Sequence, residues 1–199
     1  MISIPAKELS LENFDQYGSF SRLINPDKVS VGPAIHEFFC DQLVYYTASA
    51  SPVGISTSRV LKRPVVVDTT EIHRCCGEVI LPLDGDVYIH VGPRSDIDDP
   101  PYEKFELFRV PQGTAVYMRP GTWHFAAFPC TQDCVNVMVL LPERTYANDC
   151  IVAHIPKDRQ IRLAECGFKI ATQKGAAYES DCFGTEGNFQ DVPGRESAQ

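Results

Sequence analysis

The chain has no Cys-x-x-Cys pair, one tryptophan, three methionines, no run of lysines or arginines and no long hydrophobic stretch. Each shortage excludes something. Eight cysteines are spread over 199 residues with one adjacent pair, Cys75-Cys76, which suits neither a zinc ribbon nor a disulfide-stapled miniprotein; reduced thiols are expected. With 26 acidic against 18 basic residues, the net charge of -8 opposes a phosphate backbone, so nucleic acid is not an expected partner. No apolar run approaches the ~20 residues needed to cross a bilayer, and the segment from Met1 to Lys7 lacks the basic and apolar parts of a signal peptide. No membrane partner and a cytoplasmic location are the corresponding expectations.

Helical periodicity is also scarce. One amino-terminal stretch, Leu9 to Gly18, carries it: Ser10 can cap, Leu11, Phe14 and Tyr17 recur at helical spacing, and Gly18 can close. After it the period shortens. Leu43 to Thr47, Gly54 to Leu61, Pro64 to His73, Glu78 to Leu83, Val87 to Val91, Phe105 to Val110, Thr114 to Met118 and Val135 to Leu141 are short runs rich in β-branched and aromatic residues. Turn residues punctuate them at Asp84-Gly85-Asp86, Gly92-Pro93, Pro111-Gln112-Gly113 and Pro120-Gly121. Short strands without crossover helices favour a closed sandwich or barrel over a parallel α/β sheet. The expected organisation is a single domain over 1–199, with a helix at 9–18, a barrel at about 40–170 and a polar tail at about 175–199.

Two segments about forty residues apart carry the chemistry. In an extended strand alternate side chains share a face, so Glu71 and His73 point the same way, about 6 to 7 Å apart along the backbone, and can bind one ion. Cys75, Cys76 and Gly77 allow a turn, after which Glu78 opens the next strand and can rejoin the site. In the second segment the Pro120-Gly121 turn redirects the chain so that Trp123 and His124 begin another strand. Glu71, His73, Glu78 and His124 together form a mixed nitrogen and oxygen donor set suited to zinc, manganese, iron or nickel. His90, between Ile89 and Val91, reads as outward-facing or as a satisfied partner of its strand.

This spacing resembles the two motifs of the cupin superfamily. Glu71, Ile72, His73, four residues, Glu78, six residues and Gly85 follow the first; Gly113 through Gly121 to His124 follows the second. Glu71 stands where the first histidine usually stands, and Arg119 occupies the usual proline position. The resemblance implies an all-β, double-stranded β-helix, a jelly-roll barrel with its site inside and a short amino-terminal helix. A narrower resemblance, to the ureidoglycolate lyase family, rests on Leu9 to Gly18, on Glu71, His73 and Glu78 leading into Ile80-Leu81-Pro82-Leu83 and Gly85, and on Gly113 with Tyr117 leading to Trp123-His124. That family usually shows glutamine at the position of Glu78 and a second histidine at that of Phe125.

The resemblance implies a lyase that cleaves a small 2-hydroxy acid ureide to glyoxylate and urea. Glu71, His73 and His124 would hold a divalent cation, with Glu78 as fourth ligand or general base, so that Glu78 and His124 are the catalytic candidates. Tyr117, Arg119 and Trp123 are the candidates for substrate contact. A cupin-type metal-dependent isomerase or dioxygenase, and a non-catalytic ligand-binding protein, are the competing expectations. A small-molecule substrate and a homodimer are expected in the first reading.

Overall fold

The computed structural model describes residues 1–27, 29–32, 35–47 and 50–164. Its elements, in chain order, are β1 (Ile2–Ile4), β2 (Ala6–Glu8), α1 (Leu11–Phe14), β3 (Gly18–Arg22), β4 (Val53–Leu61), β5 (Val66–Val67), β6 (Thr69–Ile72), β7 (Glu78–Pro82), β8 (Val87–Val91), β9 (Glu106–Val110), β10 (Thr114–Met118), β11 (Trp123–His124), β12 (Phe128–Pro129), β13 (Cys134–Pro142), α2 (Thr145–Asn148), β14 (Ile151–His154) and β15 (Ile161–Leu163). The described residues belong to one compact unit, Met1–Cys166. The polar tail expected at about 175–199 lies outside them.

The pairing is nested. β8 lies antiparallel to β9, β7 to β10 and β6 to β11, so the run β6-β7-β8 folds back on β9-β10-β11 as one long hairpin wound into a helix. β12 then adds to β8, β13 to β7 and β14 to β6. This is an all-β double-stranded β-helix, a jelly-roll barrel. Its largest sheet has the order β3-β10-β7-β13-β4.

Alternation sets which face of each strand looks inward. In β13, Val135, Val137, Val139 and Leu141 are buried, while Asn136, Met138 and Leu140 are only half-buried. A one-residue slip would exchange the two sets, at a cost on the order of 1.5–3 kcal/mol for each aliphatic side chain exposed. The turn that carries the chain from β7 to β8 in the neighbouring sheet is tied down by its acids: Asp84 accepts the Asn136 N–H at 2.7 Å, and Asp86 accepts the Gln112 N–H at 2.8 Å. One core cluster fills the barrel around Phe14, Ile80, Ile89, Phe108, Val116 and Val137. A second packs Ile72, Phe105, Leu107, Trp123 and Ile161 between strands.

Two expectations are corrected. The helix expected over Leu9 to Gly18 is one turn, Leu11–Phe14, held by a capping box between Ser10 and Asn13. Leu11 is exposed, and Gly18 has left the helix to pair with Met118 as the first residue of β3. That approach is so close that a Cβ on Gly18 would meet the Tyr117 carbonyl oxygen at 1.7 Å, so strand pairing overrides helical periodicity here. Leu43 to Thr47, expected as a strand, makes one bridge, Thr47 with Cys76. Its Leu43 and Tyr45 side chains pack instead on Val79, Ala115 and Tyr117.

Candidate metal centre

Register assembles the site. Trp123 is paired with Ile72 and His124 with Glu71, so the two motif halves lie on adjacent strands. Glu71 and His73 share a face by alternation. Gly121 bends the second half into place with φ of 88°, a conformation that favours glycine, and its N–H donates to the His73 carbonyl at 2.7 Å. Glu78 opens β7, opposite Met118. Between His73 and Glu78 the loop is drawn in by Asp149, whose carboxylate accepts the backbone N–H groups of Arg74 at 2.9 Å, Cys75 at 2.8 Å and Cys76 at 3.2 Å.

Glu71, His73, Glu78 and His124 each offer a ligand atom, and these atoms all lie within 4.8 Å of one another. The two imidazoles are 5.1 Å apart, centre to centre. His73 Nδ1 bonds to the Asp149 carbonyl at 2.6 Å and His124 Nδ1 to the Thr122 carbonyl at 2.8 Å. A carbonyl only accepts, so both Nδ1 atoms carry the proton and both Nε2 atoms face inward. Each Nε2 lies 3.2 Å from Glu78 Oε2.

The charges in this buried cluster follow from pairing. Burial, the largest single effect on Glu78, pushes its carboxyl upward; the attraction of His124 and hydrogen bonds from both imidazoles outweigh it and leave the group lowered to about 2. For His124, burial pushes downward, and the Glu78 carboxylate opposite it outweighs that and raises the ring to about 8. Cys150 donates its S–H to Glu71 Oε2 at 3.2 Å, and burial followed by the contact with Glu71 holds the thiol up at about 12.

The donor set fits a divalent cation. Two inward Nε2 atoms with their Nδ1 atoms anchored on carbonyls, plus two carboxylates, make a mixed nitrogen and oxygen site of the kind that zinc, manganese, iron or nickel accept. Beside it is a cavity of about 130 Å³ lined by Glu71, Glu78, Ile80, Ile89, Met118 and Tyr146 among others. Its lining, among the described residues, includes no lysine or arginine.

The three expected substrate contacts lie elsewhere. Tyr117 alternates with the inward Val116 and Met118, and packs on the other face of its sheet, 6.0 Å from the Tyr45 ring. Arg119 is held at the Asp15 carbonyl and, at 3.4 Å, at its carboxylate. Trp123 must face away from His124, its neighbour on a two-residue strand; it is fully buried, with its indole N–H on Ser95 Oγ at 3.0 Å. Tyr146 and Ser58 line the cavity instead. Asp149 and Cys150 were not legible as site residues, because nothing in their spacing links them to either motif. His90 is not outward-facing: it is buried, with Nε2 3.1 Å from Thr70 Oγ1 and Nδ1 without a partner among the described residues.

A wound double-stranded β-helix with imidazoles and carboxylates gathered on its inner wall defines a cupin-type barrel. The chain belongs to the ureidoglycolate lyase family, whose model matches residues 1–162. No curated protein matches it. Similar solved structures include an oxalate decarboxylase from Bacillus subtilis, 12% identical with a TM-score of 0.38, over 53% of this chain and 24% of that one. Another is a dTDP sugar isomerase from Desulfovibrio desulfuricans, 16% identical with a TM-score of 0.40, over 71% of this chain and 85% of that one. The match thus spans about 24% of the length of that decarboxylase.

Proposed function

We propose that the protein cleaves ureidoglycolate, or a closely related 2-hydroxy acid ureide, to glyoxylate and urea. Glu71, His73 and His124 hold a divalent cation in this reading, and Glu78 serves as fourth ligand or as general base. The observation that carries it is the convergence of both imidazole Nε2 atoms on Glu78 Oε2, each at 3.2 Å, at the wall of a small cavity. Membership of the ureidoglycolate lyase family supports the choice of substrate.

An anionic hydroxy acid would be repelled by Glu71 and Glu78, and no basic side chain among the described lining residues offsets them. A divalent cation supplies that charge and lowers the pKa of a hydroxyl it chelates. The chain's own groups do the rest. Glu78 takes the hydroxyl proton; the O–H electron pair becomes the new C=O bond of glyoxylate as the C–N bond breaks, and the proton returns from Glu78 to the departing urea nitrogen. Ile80, Ile89 and Met118 line the cavity beside that carboxylate, and burial there pushes its pKa upward against the imidazoles that lower it. Tyr146 and Ser58 replace Tyr117 and Arg119 as candidates to contact the urea group.

The test is glyoxylate release from ureidoglycolate by metal-loaded protein. Glu78→Gln is expected to lose about 10²–10⁴-fold in kcat, the range of a general base, and His124→Ala to lose bound metal together with activity. Glyoxylate production unchanged in Glu78→Gln would remove Glu78 from the chemistry. The homodimer and the cytoplasmic location belong to the same proposal, and light scattering of the purified protein checks the first.

A further inference from the structure

Two consecutive residues touch the ligand set from behind. Asp149 caps the end of α2, and its backbone carbonyl accepts the Nδ1–H of His73 at 2.6 Å while its carboxylate gathers three N–H groups of the loop that follows His73. The next residue, Cys150, donates its S–H to Glu71 Oε2 at 3.2 Å. β14 then continues directly along β6, with Ile151 opposite Ile72 and Val152 opposite Glu71. The ladder therefore presses the dipeptide against two of the four proposed ligands.

We infer that Asp149-Cys150 is a positioning brace for the metal centre, in which the Cys150 thiol acts through Glu71 as a hydrogen-bond donor and not as a ligand. The inference rests on the metal reading above. A carboxylate side chain at a half-buried strand position has several rotamers, and a donor on one oxygen selects among them while leaving the other oxygen to bind. His73 needs the same service in another form, because its Nε2 binds an ion only if Nδ1 keeps the proton. One turn of chain supplies both, so the brace arranges one ligand from each end of the Glu71-x-His73 pair. Among the described cysteines with a side-chain contact in this region, Cys76 reaches Thr145 Oγ1 at 3.8 Å instead. Cys150 is the one whose contact falls on a ligand.

The experiment is a titration of chelator-stripped, full-length protein with zinc against a chromophoric chelator, with cobalt(II) absorption as a second readout and the melting temperature of the metal-free protein as a third. Cys150→Ala is expected to bind zinc about 10–100-fold more weakly, the usual effect of losing an outer-shell partner, with altered cobalt d–d bands and an unchanged metal-free melt. Cys150→Ser keeps a donor and is expected to recover wild-type affinity within about threefold. Cys150→Val removes the donor at similar volume and replaces the alanine variant if that one does not fold. Asp149→Ala is expected to weaken zinc in the same direction.

Wild-type affinity and spectrum in Cys150→Ala or Cys150→Val would overturn the brace and leave the metal reading standing. Serine as weak as alanine would overturn it too. A near-ultraviolet thiolate-to-cobalt band in wild type that vanishes in Cys150→Ser would make Cys150 a ligand, against the inference. Wild-type protein that binds no metal would take down the metal reading itself, and the brace with it.

Discussion

His124 and His90 are 4% and 1% exposed and are joined through one hydroxyl: His90 Nε2 meets Thr70 Oγ1 at 3.1 Å, and Thr70 Oγ1 donates to the His124 carbonyl at 3.1 Å. Burial penalises the charged form of both. His124 faces Glu78 and is raised to about 8. His90 stacks on Phe105, at 5.8 Å and 15°, and is lowered to about 3, first by burial and then by the positive charges of His124 and Arg63. Two equally buried imidazoles thus differ in charge because one has a carboxylate partner. The paired one belongs to the candidate metal centre, and the other lies outside it.

The strongest way to break this contrast is to remove the partner. In metal-free Glu78→Gln, burial acts on His124 with its strongest opposing partner gone and only Glu71 and the Thr122 carbonyl left to raise the ring, so its pKa is expected to fall from about 8; imidazole proton shifts followed by NMR against pH read it directly. A His124 that still titrates near its wild-type value would mean that another group holds its charge.

Stability against pH sharpens the same contrast. The His124 ring is raised from 6.5 to about 8, so its contribution is complete below pH 6.5 and is lost as the pH rises through about 8. His90 is lowered from 6.5 to about 3; its contribution is complete above pH 6.5 and is lost as the pH falls toward about 3. Glu78 is lowered from 4.5 to about 2, and its contribution is lost only as the pH falls below 4.5. Metal-free protein is therefore expected to be most stable near pH 6.5, as read by denaturant midpoints. His90→Leu should flatten the loss between pH 6.5 and 4.5 and keep the loss above 6.5. Persistence of the acid-side slope in that variant would clear His90 of causing it.

A smaller effect is expected from the same variant at the centre itself. His90 touches the His124 backbone only through Thr70, so His90→Leu should keep one bound metal and kcat/KM within about threefold. Smallest of all is Arg119→Ala. The guanidinium is 46% exposed and tied to Asp15, and an exposed pair of this kind contributes about 0–1 kcal/mol. Its kcat/KM is expected within about twofold of wild type, and a tenfold rise in KM would return Arg119 to the substrate.

The four ligand candidates were legible because their information is local. Glu71 and His73 are two apart on a strand, Glu78 opens the next strand, and Gly121 marks the turn before His124. The misplaced substrate residues were legible in principle by the same rule. If Val116 and Met118 face inward, Tyr117 cannot, and if His124 faces inward, Trp123 cannot. The helix was overread because Leu11, Phe14 and Tyr17 satisfy helical spacing whether or not the chain turns into β3 at Gly18. Tyr17 is buried with its hydroxyl on Glu106 Oε2 at 2.8 Å, a long-range contact that periodicity does not report.

Strand periodicity, turn chemistry and the spacing of two histidines and two glutamates are properties of neighbouring residues, and they suffice for an all-β barrel and the donor set on its wall. Which imidazole carries charge depends on Glu78 and His124, 46 positions apart, and the residues that brace Glu71 and His73 come from more than seventy positions away, as with His73 and Asp149 or Glu71 and Cys150. Hydrogen bonds and electrostatic pairing act over a few ångströms, so at such separations in the chain only tertiary structure decides them.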